Sequence, residues 1–188
     1  MVMVMEKNEN IKILIVVGAA PCAQEDVSVC LSTLHRPLST VSFMLIGIDA
    51  VDKYQGRADY FATFHPVDIL PAIDRRAELG ANTDYIVISH KSYFDQSAGR
   101  DVVDKIVPFR PPSGSSALLG VLAGVSLGYK KIVLCGCPLV GKNKKNSTYE
   151  IYRRGWTAKL QEIKDVVRSM SGWTRELLGA PTGEWLNE

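Results

Sequence analysis

The chain carries almost no excess charge: 22 Lys and Arg stand against 20 Asp and Glu, a net of +2 at pH 7. A dedicated nucleic-acid binder needs a strongly basic face, so that class is not expected. Long apolar runs are missing too. The longest uncharged stretch, residues 111–129, is broken by two prolines, four glycines and four serines, which makes it a poor membrane span. The apolar start, Met1-Val-Met-Val-Met5, runs at once into Glu6, Lys7 and Glu9 and is too short for the core of a signal peptide. Cytoplasmic residence is the expectation, with Cys22, Cys30, Cys135 and Cys137 as reduced thiols. Neither GxGxxG nor the P-loop GxxxxGKS/T occurs, which argues against a plain dinucleotide or ATP loop. Zinc-type C-x₂₋₄-C spacing is absent as well, so no metal site is assigned.

What is present is a globular composition, 46% hydrophobic over 188 residues, which suits one domain. Residues 11–17 (IKILIVV) form a β-branched run ended by Gly18, the mark of a strand covered on both faces. Similar runs fall at 41–48, 60–64, 84–89 and 131–136, and helical patterns at 23–35, 66–79, 115–127 and 149–170. This alternation predicts a single Rossmann-like, doubly wound and mostly parallel α/β sheet over residues 11–170. Residues 1–10 read as an N-terminal extension. Residues 171–188 hold Trp173, Leu177, Leu178, Trp185 and Leu186, too much apolar surface for a free tail, and are expected to pack back. In the 115–127 helix, Gly120 and Gly124 each cost helix stability, so they point to close packing. Gly172 reads as the glycine stop of the last helix, with an active-site flap over 168–174 as the alternative.

Ligands of such sheets bind beyond the carboxyl ends of the strands, which directs attention to the residues that follow them. Gly18, Ala19 and Pro21 form a small turn into a helix whose free amides suit a phosphate. Ser113, Gly114, Ser115 and Ser116 precede another helix, where a serine serves as cap or as anion ligand. Asp49 and Asp52 follow the second strand and fit ribose hydroxyls, magnesium or a helix cap. His65 and His90 follow strands, and a histidine within reach of substrate acts as a general base. Lys142 opens a loop with Lys144 and Lys145 whose field would attract phosphate. Tyr149 and Tyr152 come next, with hydroxyls suited to a leaving group or with rings suited to packing.

Three segments together resemble a known group. VVGAAPCA, residues 16–23, is similar to the G-x-G-P-S opening of the 6-hydroxymethylpterin diphosphokinase-like family, which includes phage and bacterial members. IGIDAVDKYQGRADYFATFHP, residues 46–66, resembles its second segment, and SGSSALLGVLAGVSLGYKKIVLCGCPL, residues 113–139, its most recognisable part. Bacterial sialyltransferases have the same three-part layout, in which these segments hold the CMP part of the donor. The resemblance spans residues 11–149. It implies that Gly18, Ala19 and Pro21 meet donor phosphate or ribose, that Ser113 and Gly114 meet the nucleotide, and that Tyr149 meets the departing phosphate. Ala19 stands where the sialyltransferases have asparagine, Ala20 and Cys22 replace the second glycine and the serine of the opening, and Cys137-Pro138 replaces Ile-Asp. No histidine follows His90, although the sialyltransferases' general base lies in that later part.

These observations imply a transferase with a nucleotide or nucleotide-sugar donor, Tyr149 and His65 as its catalytic candidates, and an acceptor of unassigned class. A relative that binds a nucleotide or a protein without turnover is the alternative, and a pterin diphosphokinase using magnesium the second. The long amphipathic helix and the tryptophan-bearing tail also suit a homo-oligomer.

Overall fold

A computed structural model describes residues 12–90, 102–108, 112–140 and 147–188. The expected N-terminal extension and Lys142 lie outside them. The described residues form a seven-stranded sheet in the order β5-β4-β3-β2-β1-β6-β7, with every neighbouring pair parallel. Its strands are β1 (Ile13–Val17), β2 (Val41–Ile46), β3 (Tyr60–Ala62), β4 (Ile86–His90), β5 (Lys105–Val107), β6 (Lys131–Cys135) and β7 (Val167–Ser169). The helices are α1 (Ala23–Thr33), α2 (Ile69–Glu78), α3 (Ser116–Ser126), α4 (Ser147–Ile163), α5 (Gly172–Leu178) and α6 (Gly183–Asn187). The fold is Rossmann-like, as the strand and helix alternation predicts.

Period-two geometry explains why β1 has no polar residue. Leu14 and Val16 enter a core beneath α3 and α4, with Met44, Leu118, Ile132 and Trp156. Ile13, Ile15 and Val17 enter the opposite core with Val27 of α1 and Ile69 of α2. A strand buried on both faces has no position for a charge. The two helix glycines serve close approach as expected. A Cβ on Gly124 would lie 2.6 Å from Leu14 Cδ2, and one on Gly120 would lie 3.0 Å from both Met44 Sδ and Ile46 Cγ2.

Two elements correct the sequence reading. The expected helix to Met170 ends at Ile163, and the chain then adds β7 beside β6. Ile163 and Val167 fall four apart on the helical pattern, yet both are buried in the same core from a helix and a strand respectively. Gly172 is therefore no helix stop: it opens α5 with φ +63°. The tail does return to the domain. Leu178 joins the α3/α4 core and Leu186 the α1/α2 core, so residues beyond β7 wrap one sheet edge and reach both faces. There the Lys131 ammonium and the Arg168 guanidinium lie 5.4 and 5.1 Å from the Trp185 ring. No helix of the described residues is long and apolar enough to cross a membrane.

Candidate functional site

The chain runs outward from β1 through β2, β3, β4 and β5, then returns to place β6 on the other flank of β1. The crevice beyond β1 and β6 is thus the point at which strand order reverses, the usual ligand position in such sheets. A cleft of about 710 Å³ opens there. That volume lies within the range of small-molecule sites.

Small residues build its β1–β6 wall. Gly18 N–H donates to Cys135 O at 2.8 Å and Ala20 N–H to Gly136 O at 3.1 Å, so the two strand-end turns lie back to back. A Cβ on Gly18 would fall 2.4 Å from Gly136 O, and one on Gly136, whose φ is +66°, would fall 2.5 Å from Ala23 Cβ. Both glycines are fixed by approach distance, which brings Gly18, Ala19 and Pro21 to the cleft together. Behind them lies a buried carboxylate that sequence reasoning missed. Asp26 Oδ2 accepts Gly136 N–H at 2.8 Å, the Ser171 hydroxyl at 2.9 Å and the Cys22 thiol at 3.5 Å. Gly136 and Ser171 are 110 and 145 residues away from it, so the local sequence does not signal the role. Burial pushes the Cys22 thiol up from its ordinary value, against its hydrogen bond with Ser171, and burial likewise raises Cys137. Both thiols are protonated at neutral pH, and neither has the activated character of a nucleophile.

The α3 end supplies donors. Ser115 caps the helix, its Oγ accepting Leu118 N–H at 3.3 Å, and Ser116 Oγ accepts Phe64 N–H at 3.3 Å. The first helical amides, at Ser116 and Ala117, have no acceptor within the helix, and both residues line the cleft with Gly114 and Ser115. Ser113 is placed differently from the expectation. It does not line the cleft but is buried against α4, where a Cβ on Gly155 would meet its Oγ at 2.3 Å. Tyr149 and Tyr152 close this side, edge to face with ring centres 6.4 Å apart.

The β2–β3 side carries the titratable groups. Asp49 is exposed on a 3₁₀ turn after β2, and His65 is exposed after β3, with Asp68 one turn further on. All three line the cleft, so Asp68 joins the site although the sequence did not single it out. Asp52 belongs elsewhere. It pairs with Arg75 at 2.8 Å in an adjoining depression with Asp74 and Glu78. His90 is fully buried at the end of β4, its ring 4.3 Å from that of Phe64, and it does not reach the cleft. Among the described residues no group of three or more His, Cys, Asp or Glu is arranged to hold a metal ion. Asp49 and Asp68 remain as the carboxylates facing the cleft, which is as many as a magnesium ion shared with substrate phosphates requires.

Comparison with protein-family models, with curated proteins and with solved structures finds no match to this chain.

Proposed function

We propose that the protein is a transferase that binds a nucleotide or nucleotide-sugar donor across the carboxyl edge of the sheet. The observation that carries this reading is the cleft at the strand-order reversal, where the 18–22 turn and the first amides of α3 meet Tyr149 on one side and Asp49 on the other. Helix amides suit a phosphate without requiring a cationic side chain. A carboxylate after β2 suits ribose hydroxyls, because an ionised carboxylate only accepts hydrogen bonds and a ribose offers two donors. Tyr149 then faces the phosphate as it takes up charge, and His65 lies at the open side as the base for an acceptor hydroxyl. One observation favours binding without turnover instead: no Lys or Arg lines the cleft among the described residues, so little cationic charge is built in to stabilise a departing phosphate.

A thermal-shift panel of CMP, CDP, UDP, GDP, ADP and ATP, each with and without magnesium, tests the proposal. Ligand at 100 times its dissociation constant stabilises by about 2.7 kcal/mol. A magnesium-independent shift with a cytidine or uridine nucleotide supports the transferase. A shift confined to ATP with magnesium supports pterin diphosphokinase chemistry through Asp49 and Asp68, and no shift with any nucleotide overturns both.

A further inference from the structure

The cleft wall after β6 is held from behind by residues that no motif marks. Four consecutive residues are each tied to a different group. Gly136 N–H reaches Asp26, which also accepts the Ser171 hydroxyl. The Thr174 hydroxyl donates to Cys137 O at 2.7 Å, and Trp173 N–H donates to Pro138 O at 2.8 Å. The Arg153 guanidinium donates twice to Leu139 O, at 2.7 and 3.2 Å, while stacking on the Trp173 ring at 5.3 Å. Gly172 has no side chain to obstruct this, since a Cβ there would lie 2.4 Å from Pro138 Cβ. At the centre of the grip Leu139 has φ +46°, a left-handed conformation that costs a side-chain-bearing residue about 1 kcal/mol or more and persists only when its surroundings impose it.

The planar trans peptide turns this grip into a property of the cleft. In each peptide unit the C=O and the following N–H point in opposite directions. With the carbonyls of Pro138 and Leu139 turned back toward α4 and α5, the amides of Leu139 and Val140 turn the other way, and both residues line the cleft. Neither amide has an acceptor among the described residues.

We propose that Arg153 and the segment Ser171, Trp173 and Thr174 act as a clasp that aims the Leu139 and Val140 amides at an oxygen of the ligand. This rests on the reading of the cleft as a nucleotide site. Arg153 is a positioning residue, and by linkage a ligand that uses this wall tightens the clasp as much as the clasp tightens the ligand.

Amide hydrogen exchange at Gly136 and Trp173, whose N–H groups make two of the ties, reads the clasp directly, with α2 amides as the remote control. In the wild type, saturating CMP slows both amides about fivefold or more. Arg153→Ala speeds both and weakens CMP about tenfold, as expected for losing hydrogen bonds to one carbonyl, and Arg153→Lys recovers part of each effect. CMP that binds without changing these amides, or that binds Arg153→Ala as tightly as wild type, overturns the clasp while leaving the nucleotide reading intact. If no nucleotide binds wild type, that reading fails and the ligand-free arm decides. Arg153→Ala and Thr174→Val must then each loosen Gly136 and Trp173 together while α2 stays unchanged, and loosening of only the substituted neighbourhood overturns the proposal.

Discussion

The two sides of the cleft are made in opposite ways. The β1–β6 side is closed and almost without side chains: Gly18 lies against Gly136, Ala23 lies behind them, and Asp26 is buried beneath. The β2–β3 side is open, with Asp49 and His65 exposed on short 3₁₀ turns. Shape is therefore set where the backbone is crowded, and titratable chemistry is displayed where it is not. A rigid wall lets weak donors such as amides act at fixed positions, because they lose no freedom on binding. Substitutions of the crowded Gly18, Gly136 and Asp26 should thus unfold the protein before they change its chemistry, and substitutions of the exposed Asp49 and His65 should do the reverse.

Gly136→Ala is the most severe break of that contrast. It forces a side chain into a left-handed backbone and onto Ala23, two costs that together reach about 3 kcal/mol. For a chain of this size the unfolding midpoint should fall by about 10 °C in a thermal scan. Asp26→Ala comes next, since it leaves the buried Gly136 amide and the Ser171 hydroxyl without their acceptor at about 2 kcal/mol. Chemical denaturation should show that loss with the slope unchanged.

Asp49→Ala and His65→Ala sharpen the comparison from the other side. Both residues are exposed, so each variant should unfold within about 0.5 kcal/mol of wild type. Asp49→Ala should nevertheless lose most of any nucleotide-induced thermal shift, and His65→Ala should keep the shift and lose turnover.

The smallest effect at neutral pH concerns Tyr54, under the β2–β3 connection. Burial pushes its phenol up to about 12, against the nearby Arg57 and Arg76 guanidinium groups. A raised acid favours its protonated form in the fold. Its contribution is complete below the unfolded value of about 10 and is lost as pH rises toward 12. Tyr54→Phe should flatten the alkaline limb of a stability-against-pH curve between those values and leave the neutral region unchanged.

Legibility followed the range over which each cause acts. β1 was readable because burial on both faces demands an unbroken apolar run, and Gly120 and Gly124 because a helix admits glycine only for contact. The edge strand β5 exposes two of its three residues and so lacks the apolar run of a covered strand, and in β7 Val167 continues the helical spacing that precedes it. In the site, position after a strand points to Gly18, Asp49 and His65, which line one cleft, and equally to Asp52 and His90, which do not. Which serine of Ser113–Ser116 faces it depends on Gly155, and the role of Asp26 depends on Ser171, neither of which is near in sequence. Leu139 gave no signal, because its left-handed backbone is imposed by Arg153 and α5 rather than by its own residue type.

The central claim is that the cleft at the β1–β6 reversal takes a nucleotide. Calorimetric titration of CMP and of ATP with magnesium into wild type and into Ala19→Trp tests it most directly, since Ala19 is an exposed cleft residue where an indole fills space without touching the core. Wild type should bind a nucleotide saturably and one to one and Ala19→Trp should bind none, with both proteins unfolding at the same temperature. Equal binding to both proteins, or no binding to wild type, would contradict that claim.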